Sequence, residues 1–198
     1  MQALCVWGGW EGHTPKESVD RFSPWLAEQG FTVEMADSTR VYANTDTMRS
    51  ADLIVQCITM STIEPEQESG LLEAVRNGTG FAGWHGGITD SFRANTGYQF
   101  MTGGQFVAHP GNCIPRYDVA VTDDTHTITK NISGFTLTDT ERYYMHTDPA
   151  NHVLCTTTFI GESDGADLYP AGTVIPYAWT RQYGRGRVFV ACWGHTFR

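Results

Sequence analysis

The chain has 198 residues, 40% hydrophobic and 18% charged, which suffices for one buried core, so a single domain over residues 1–198 is expected. Its 22 acidic residues against 13 Lys and Arg give a formal charge of −9, and the only compact basic cluster is Arg181, Arg185 and Arg187. Nucleic acid and anionic membrane need clustered positive charge and are excluded as main partners, and no apolar run approaches the ~20 residues of a membrane span.

Residues 3–9 form an apolar strand that breaks at Gly8-Gly9. The first residues lack a basic leader region and a cleavage pattern, so no signal peptide is expected. Thr14-Pro15-Lys16-Glu17 reads as a helix start, with Thr14 as N-cap, Pro15 at the first helical position and Glu17 closing a capping box. Val19, Phe22, Trp25 and Leu26 recur at helical spacing, and Gly30 stops the helix. Phe31 to Met35 alternates as a second strand, and a strand–helix–strand opening indicates a parallel sheet. Asp52 to Met60 is a nearly continuous apolar run, as in strands buried on both faces. Pro65 opens a second helix that ends at Asn77-Gly78, and Gly80 to Trp84 is the next strand.

The second half reads differently. Residues 97–115, rich in Gly, Pro and His, are expected to form a long functional loop. Arg116–Thr122, Val153–Ile160, Ile175–Thr180 and Arg187–Trp193 are strands, the last two joined by the turn at Tyr183-Gly184-Arg185-Gly186. Of the five cysteines, Cys5, Cys57, Cys155 and Cys192 lie in apolar runs, whereas Cys113 sits in a Gly- and Pro-flanked loop. None forms a C-x-x-C pair. Reduced, structural cysteines suit a reducing compartment, and a cytoplasmic location is expected.

The chemistry-bearing segment is Gly83-Trp84-His85-Gly86-Gly87, where a buried strand ends and a helix should begin. Small neighbours let the chain turn sharply and present one side chain at the sheet edge, as in the G-x-S-x-G elbow. Here the tip is histidine, a base or a metal ligand rather than an acyl nucleophile. His13 follows the first strand and His195 the last. In open α/β sheets ligands bind outside the carboxyl ends of strands, so His13, His85 and His195 could converge there. Taken singly, each also fits a capping or surface histidine. His109 lies on the long loop that could fold over that edge, and Glu141 stands beside Tyr143 and Tyr144. Trp84, Trp193 and those tyrosines could stack on a sugar face, or equally fill the core.

Several segments together resemble the trehalose-utilisation (ThuA-like) family over almost the whole chain. They are Gly80 to Gly87, Gly103-Gly104-Gln105-Phe106-Val107-Ala108-His109-Pro110, His126-Thr127-Ile128 ahead of Gly134-Phe135, Thr140-Glu141-Arg142-Tyr143, and Ala178 to Phe189 leading into Gly194-His195-Thr196. The resemblance implies an α/β, flavodoxin-like three-layer α/β/α sandwich with a mostly parallel central sheet, related to class I glutamine amidotransferases. In those relatives the elbow carries a Cys nucleophile partnered by a His–Glu pair. This chain has His85 at the tip and Thr196-Phe197 where the H-x-E pair would be looked for, which argues against glutaminase chemistry. Thr140 stands where an acidic residue is expected, so only Glu141 carries over.

The expected function is carbohydrate catabolism, on a disaccharide or a keto-glycoside. His85, Glu141 and His195 are the candidate catalytic residues, and Trp84, His109, Tyr143, Tyr144 and Trp193 the candidate substrate contacts. His13, His85, His109 and His195 are candidate ligands of a divalent ion such as Zn or Mn. A small-molecule carbohydrate is the expected partner, and self-association into a homo-oligomer stays open. Two rivals are a non-catalytic sugar-binding or regulatory domain that lost its nucleophile, and a cysteine hydrolase using Cys113, which needs a histidine within reach of the thiol.

Overall fold

The computed structural model describes residues 1–161 and 169–195; Thr196 and Phe197, read above against an H-x-E pair, lie outside the described residues. A nine-stranded mixed sheet runs through the molecule in the order β2-β1-β3-β4-β11-β10-β9-β6-β7. Its parallel half comprises β1 (Gln2–Gly9), β2 (Thr32–Ala36), β3 (Leu53–Thr59), β4 (Gly80–Trp84) and β11 (Gly186–Ala191). The antiparallel half adds β6 (Cys113–Val121), β7 (Phe135–Glu141), β9 (His152–Phe159) and β10 (Thr173–Tyr183). β5 (Gly104–Ala108) and β8 (Tyr144–Thr147) pair separately as a two-stranded ribbon.

Strand alternation explains the layers. On one face Ala3 and Cys5 of β1 and Val55 and Cys57 of β3 pack with Val19 and Leu26 of α1 (Pro15–Glu28). On the other, Leu4, Val6, Ile54 and Ile58 pack with Met48 of α2 (Thr45–Ser50) and Leu71, Ala74 and Val75 of α3 (Pro65–Asn77). Strands buried on both sides must be apolar at nearly every position, which is the continuous run read in residues 52–60. The result is a flavodoxin-like α/β fold. In the order β2-β1-β3-β4 the strand sequence switches direction at the parallel neighbours β1 and β3, so the helices that follow them, α1 and α3, lie on opposite faces of the sheet.

Three local expectations are corrected. Thr14 is the N-cap of α1, but it takes the left-handed conformation (φ 45°, ψ 54°), its side chain caps nothing, and its Oγ1 is buried without a hydrogen-bond partner. The reason is the 3-10 turn Glu11–His13 just before it, which carries His13 inward and leaves Thr14 to turn the chain sharply. A capping box does occur, at α3, between Glu64 and Gln67. Residues 97–115 are not one long loop: they form most of α5 (Thr96–Thr102), β5 and the start of β6, leaving a short connection at 109–112.

Candidate functional site

The elbow is built as its glycines require. His85 follows β4 with φ 49° and ψ −144°, a conformation L side chains rarely adopt, and its carbonyl accepts from Thr89 N (2.9 Å) and Thr89 Oγ1 (2.7 Å) to start α4 (Gly86–Thr89). A Cβ at Gly83 would meet Gln56 O at 2.6 Å, and one at Gly87 would meet Cys57 Cα at 2.8 Å. At Gly86 it would meet His13 Cε1 at 2.6 Å, so this glycine makes room for the second histidine. Beneath the elbow the buried Gln56 amide nitrogen shares its two hydrogens among Gly87 O, Ser91 Oγ and Tyr98 OH, and the amide oxygen accepts from Tyr42 OH. The turn is thereby held from below by β3.

Around His85 stand His13, delivered by the turn after β1, and His195, which follows β11. Glu141 ends β7, the far edge strand by pairing order, yet its carboxylate reaches the carboxyl end of β4. The antiparallel half therefore curls over the parallel half. Tyr117 of β6 fixes the curl, donating to Glu141 O (2.9 Å) and meeting Tyr177 OH of β10 (2.9 Å).

Glu141 Oε2 lies 3.1 Å from His85 Nε2 and 3.7 Å from His13 Nε2; Oε1 lies 3.5 Å from His195 Nε2 and 3.8 Å from His109 Nε2. One ligand atom from each of His13, His85, Glu141 and His195 falls within 4.8 Å of all the others. The far nitrogens are engaged too. His85 Nδ1 is 3.0 Å from Cys192 O, His13 Nδ1 is 3.0 Å from Thr59 Oγ1, and His195 Nδ1 is 3.9 Å from Cys113 Sγ.

The electrostatics leave a proton missing. Burial pushes the His85 imidazole down from 6.5 to about 4, with the Glu141 hydrogen bond only partly opposing it. Burial also raises the Glu141 carboxyl, but the His13 imidazole beside it and the hydrogen-bonded His85 outweigh burial and hold the group well below the usual carboxylate range. A neutral His85 owns one N–H, whereas oxygen atoms flank both of its nitrogens. The Cys192 carbonyl can only accept, so with Nδ1–H directed there, the Nε2 lone pair faces an ionised carboxylate. A cation placed between them, whether a proton or a metal ion, would offset that repulsion.

The sequence-named residues divide as follows. His13, His85, His195 and Glu141 come together, and His109, half-buried at the end of β5, approaches Glu141 from the outer side. Tyr143 stacks on His85 (4.0 Å between centroids) and is itself buried between it and Phe106. Trp84 packs on Phe22 of α1, Tyr144 lies against Phe159 and Tyr169, and Trp193 lies against Phe135 and Tyr177. Cys113 is exposed, and its thiol has a histidine within reach, as the hydrolase alternative requires. Thr59, the Cys192 carbonyl and Trp10, whose ring meets that of His13, escaped the sequence reading. Only Trp10 had a legible signal, since it directly follows the glycines that end the first strand.

The comparisons agree with this architecture. The ThuA family model, described as trehalose utilisation, matches residues 2–198. No curated protein matches the chain. Among solved structures it is similar to a ThuA-like protein of Bacteroides uniformis (TM-score 0.77, 16% identity, 99% of this chain and 82% of that one). A ThuA-like protein of Parabacteroides merdae matches with a TM-score of 0.74 at 17% identity, over 98% of this chain and 80% of that one. A beta-galactosidase of Bacillus circulans sp. alkalophilus shares the fold over 97% of this chain but 28% of its own length (TM-score 0.60, 13% identity). On the match over residues 2–198, the chain belongs to the ThuA family of trehalose utilisation.

Proposed function

We propose that the chain is a divalent-metal-dependent enzyme of carbohydrate catabolism, acting on a disaccharide or keto-glycoside, with His13, His85, His195 and Glu141 as the ligands of a Zn or Mn ion. One observation carries this reading: three imidazoles rest their Nδ1 atoms on outer partners and turn their Nε2 atoms toward one buried carboxylate. Outer partners of this kind orient metal-binding histidines. Ligand atoms on ~2.1 Å bonds to one ion stand roughly 3.0–3.4 Å apart. The imidazole-to-carboxylate separations of 3.1, 3.5 and 3.7 Å lie near that range, and the four ligand atoms, all within 4.8 Å of one another, would draw together around the ion. Such an ion also resolves the His85–Glu141 conflict.

This moves His85 and Glu141 from proton transfer to ligation, and leaves His109 for the proton. Its side chain is about a third exposed, and its Nδ1 has no hydrogen-bond partner among the described residues, so either nitrogen can carry a proton. When bound, the ion would supply Lewis-acid polarisation of a substrate carbonyl. On a keto-glycoside, His109 would take the proton from the carbon beside the carbonyl. A carbon–carbon double bond would form as the glycosidic C–O bond breaks, and the protonated His109 would return that proton to the leaving oxygen.

Elemental analysis of tag-free protein purified without chelator should find one divalent ion per chain, lost in His85→Ala and in Glu141→Ala. Protein that carries no ion, and that excess Zn²⁺ or Mn²⁺ fails to stabilise against heat, would sink the reading. Ligand binding with no turnover of any keto-disaccharide would favour the non-catalytic alternative. A second reading rests on Cys113 Sγ, His195 and Glu141, which follow one another at 3.9 and 3.5 Å in the order nucleophile, base, orienting carboxylate. It predicts that iodoacetamide and Cys113→Ser abolish activity while chelators leave it intact; the metal reading predicts the reverse for chelators.

A further inference from the structure

Two of the six tryptophans present about half their surface to solvent: Trp25 on α1 and Trp10, at 54% and 46%. Exposure alone decides nothing, since single surface apolar residues are ordinary. For Trp10 three further observations converge. Its ring centroid lies 4.7 Å from that of His13 at an interplanar angle of 74°, so the indole adjoins the histidine cluster at its solvent side. Its backbone N–H donates to Thr59 O (3.0 Å), which extends the β1–β3 ladder and ties the Trp10 main chain to the end of β3. Its benzene ring lies against Gly12: a Cβ there would meet Cζ2, Cη2 and Cε2 at 2.3, 2.4 and 2.6 Å. Gly12 has no positive φ, so its lack of a side chain serves the ring's position rather than the backbone turn.

An exposed aromatic held at a fixed angle beside a polar cluster is a preorganised wall. A ligand that uses both needs a C–H-rich face for the indole and oxygen atoms for the imidazoles and carboxylate. A pyranose ring has both. We propose that Trp10 is the sugar-stacking residue of this site and that Gly12 sets the angle of its ring. The proposal rests on the carbohydrate reading given above. It assigns the stacking role to Trp10 in place of Trp84, Trp193 and Tyr144, whose rings contact other aromatics.

The test is calorimetric titration of the metal-supplemented full chain with trehalose as probe, and with maltose and methyl α-glucoside as further pyranosides. Trp10→Ala should weaken binding about tenfold, the order expected for loss of one aromatic contact with its buried area. Trp10→Phe should retain most of the affinity. Gly12→Ala keeps the indole but displaces it, and should weaken binding comparably. Metal content and melting temperature should stay at the wild-type level in all three. Unchanged trehalose affinity in Trp10→Ala overturns the assignment while leaving the carbohydrate reading intact. Loss of metal from Trp10→Ala also overturns it, because the ring would then merely support His13. Wild-type protein that takes up metal but binds none of the three sugars overturns this assignment, whereas the carbohydrate reading itself falls only if keto-glycosides are neither bound nor turned over.

Discussion

At the residue scale the elbow glycines divide between stability and function. A methyl at Gly87 would press on the Cys57 backbone of a central strand, which cannot give way, so Gly87→Ala should cost about 1–3 kcal/mol, visible as a lower denaturation midpoint. At Gly86 the obstacles are two side chains, the His13 ring and the Thr59 methyl, which yield more readily than backbone. Gly86→Ala should therefore cost less in melting temperature and more in metal content; a variant with full metal content would contradict the packing argument. The glycine pattern around His85 was legible because a sharp strand-to-helix turn demands small neighbours. Which aromatics face the site was not legible. Trp84 adjoins His85 in the chain, but its ring packs under α1 against Phe22.

At the element scale, the first half of the fold was readable from local periodicity, because each β–α unit carries its own strand run, helix stripe and stop residue. The antiparallel half was read in part. β5 and β8 are short and stabilise only one another and their packing surface, so no apolar run announces them. β7 is an edge strand whose alternation, Phe135 and Leu137 against threonines, buries little. At the base of the elbow β3 contributes Gln56, a polar residue in an apolar strand with four side-chain hydrogen bonds. Gln56→Leu would leave the Tyr42 hydroxyl without its acceptor and Gly87 O and Tyr98 OH without this donor. Chemical denaturation should show a loss of about 2–3 kcal/mol, and a neutral result would mean that water or rearrangement replaces the amide.

At the scale of the whole molecule, the buried cluster couples stability to pH. The folded His85 binds a proton only near pH 4, whereas the unfolded chain does so near 6.5. Between those values unfolding takes up a proton, so metal-free protein loses stability as pH falls, by up to about 1.4 kcal/mol per pH unit. Glu141 acts in the same direction: its depressed carboxyl contributes stability above the ordinary carboxylate range, and that stability is lost as pH falls through the depressed value. The melting temperature of metal-free protein should drop from pH 7 to pH 4.5, and His85→Ala should flatten the drop; a flat wild-type profile would contradict the buried neutral imidazole. The amino-acid sequence alone determined the parallel β–α units, the elbow with His85 at its tip, and the placement of His13 and His195 at strand ends, because those features follow from neighbours along the chain. Only the tertiary structure decided that Glu141 joins them, that Trp10 rather than Trp84 meets the cluster, and that each Nδ1 has its own outer partner. The partners of His13 and His85 come from neighbouring parallel strands that are distant in sequence, while Glu141 and Cys113 reach the cluster because the antiparallel half of the sheet curls back over the parallel half.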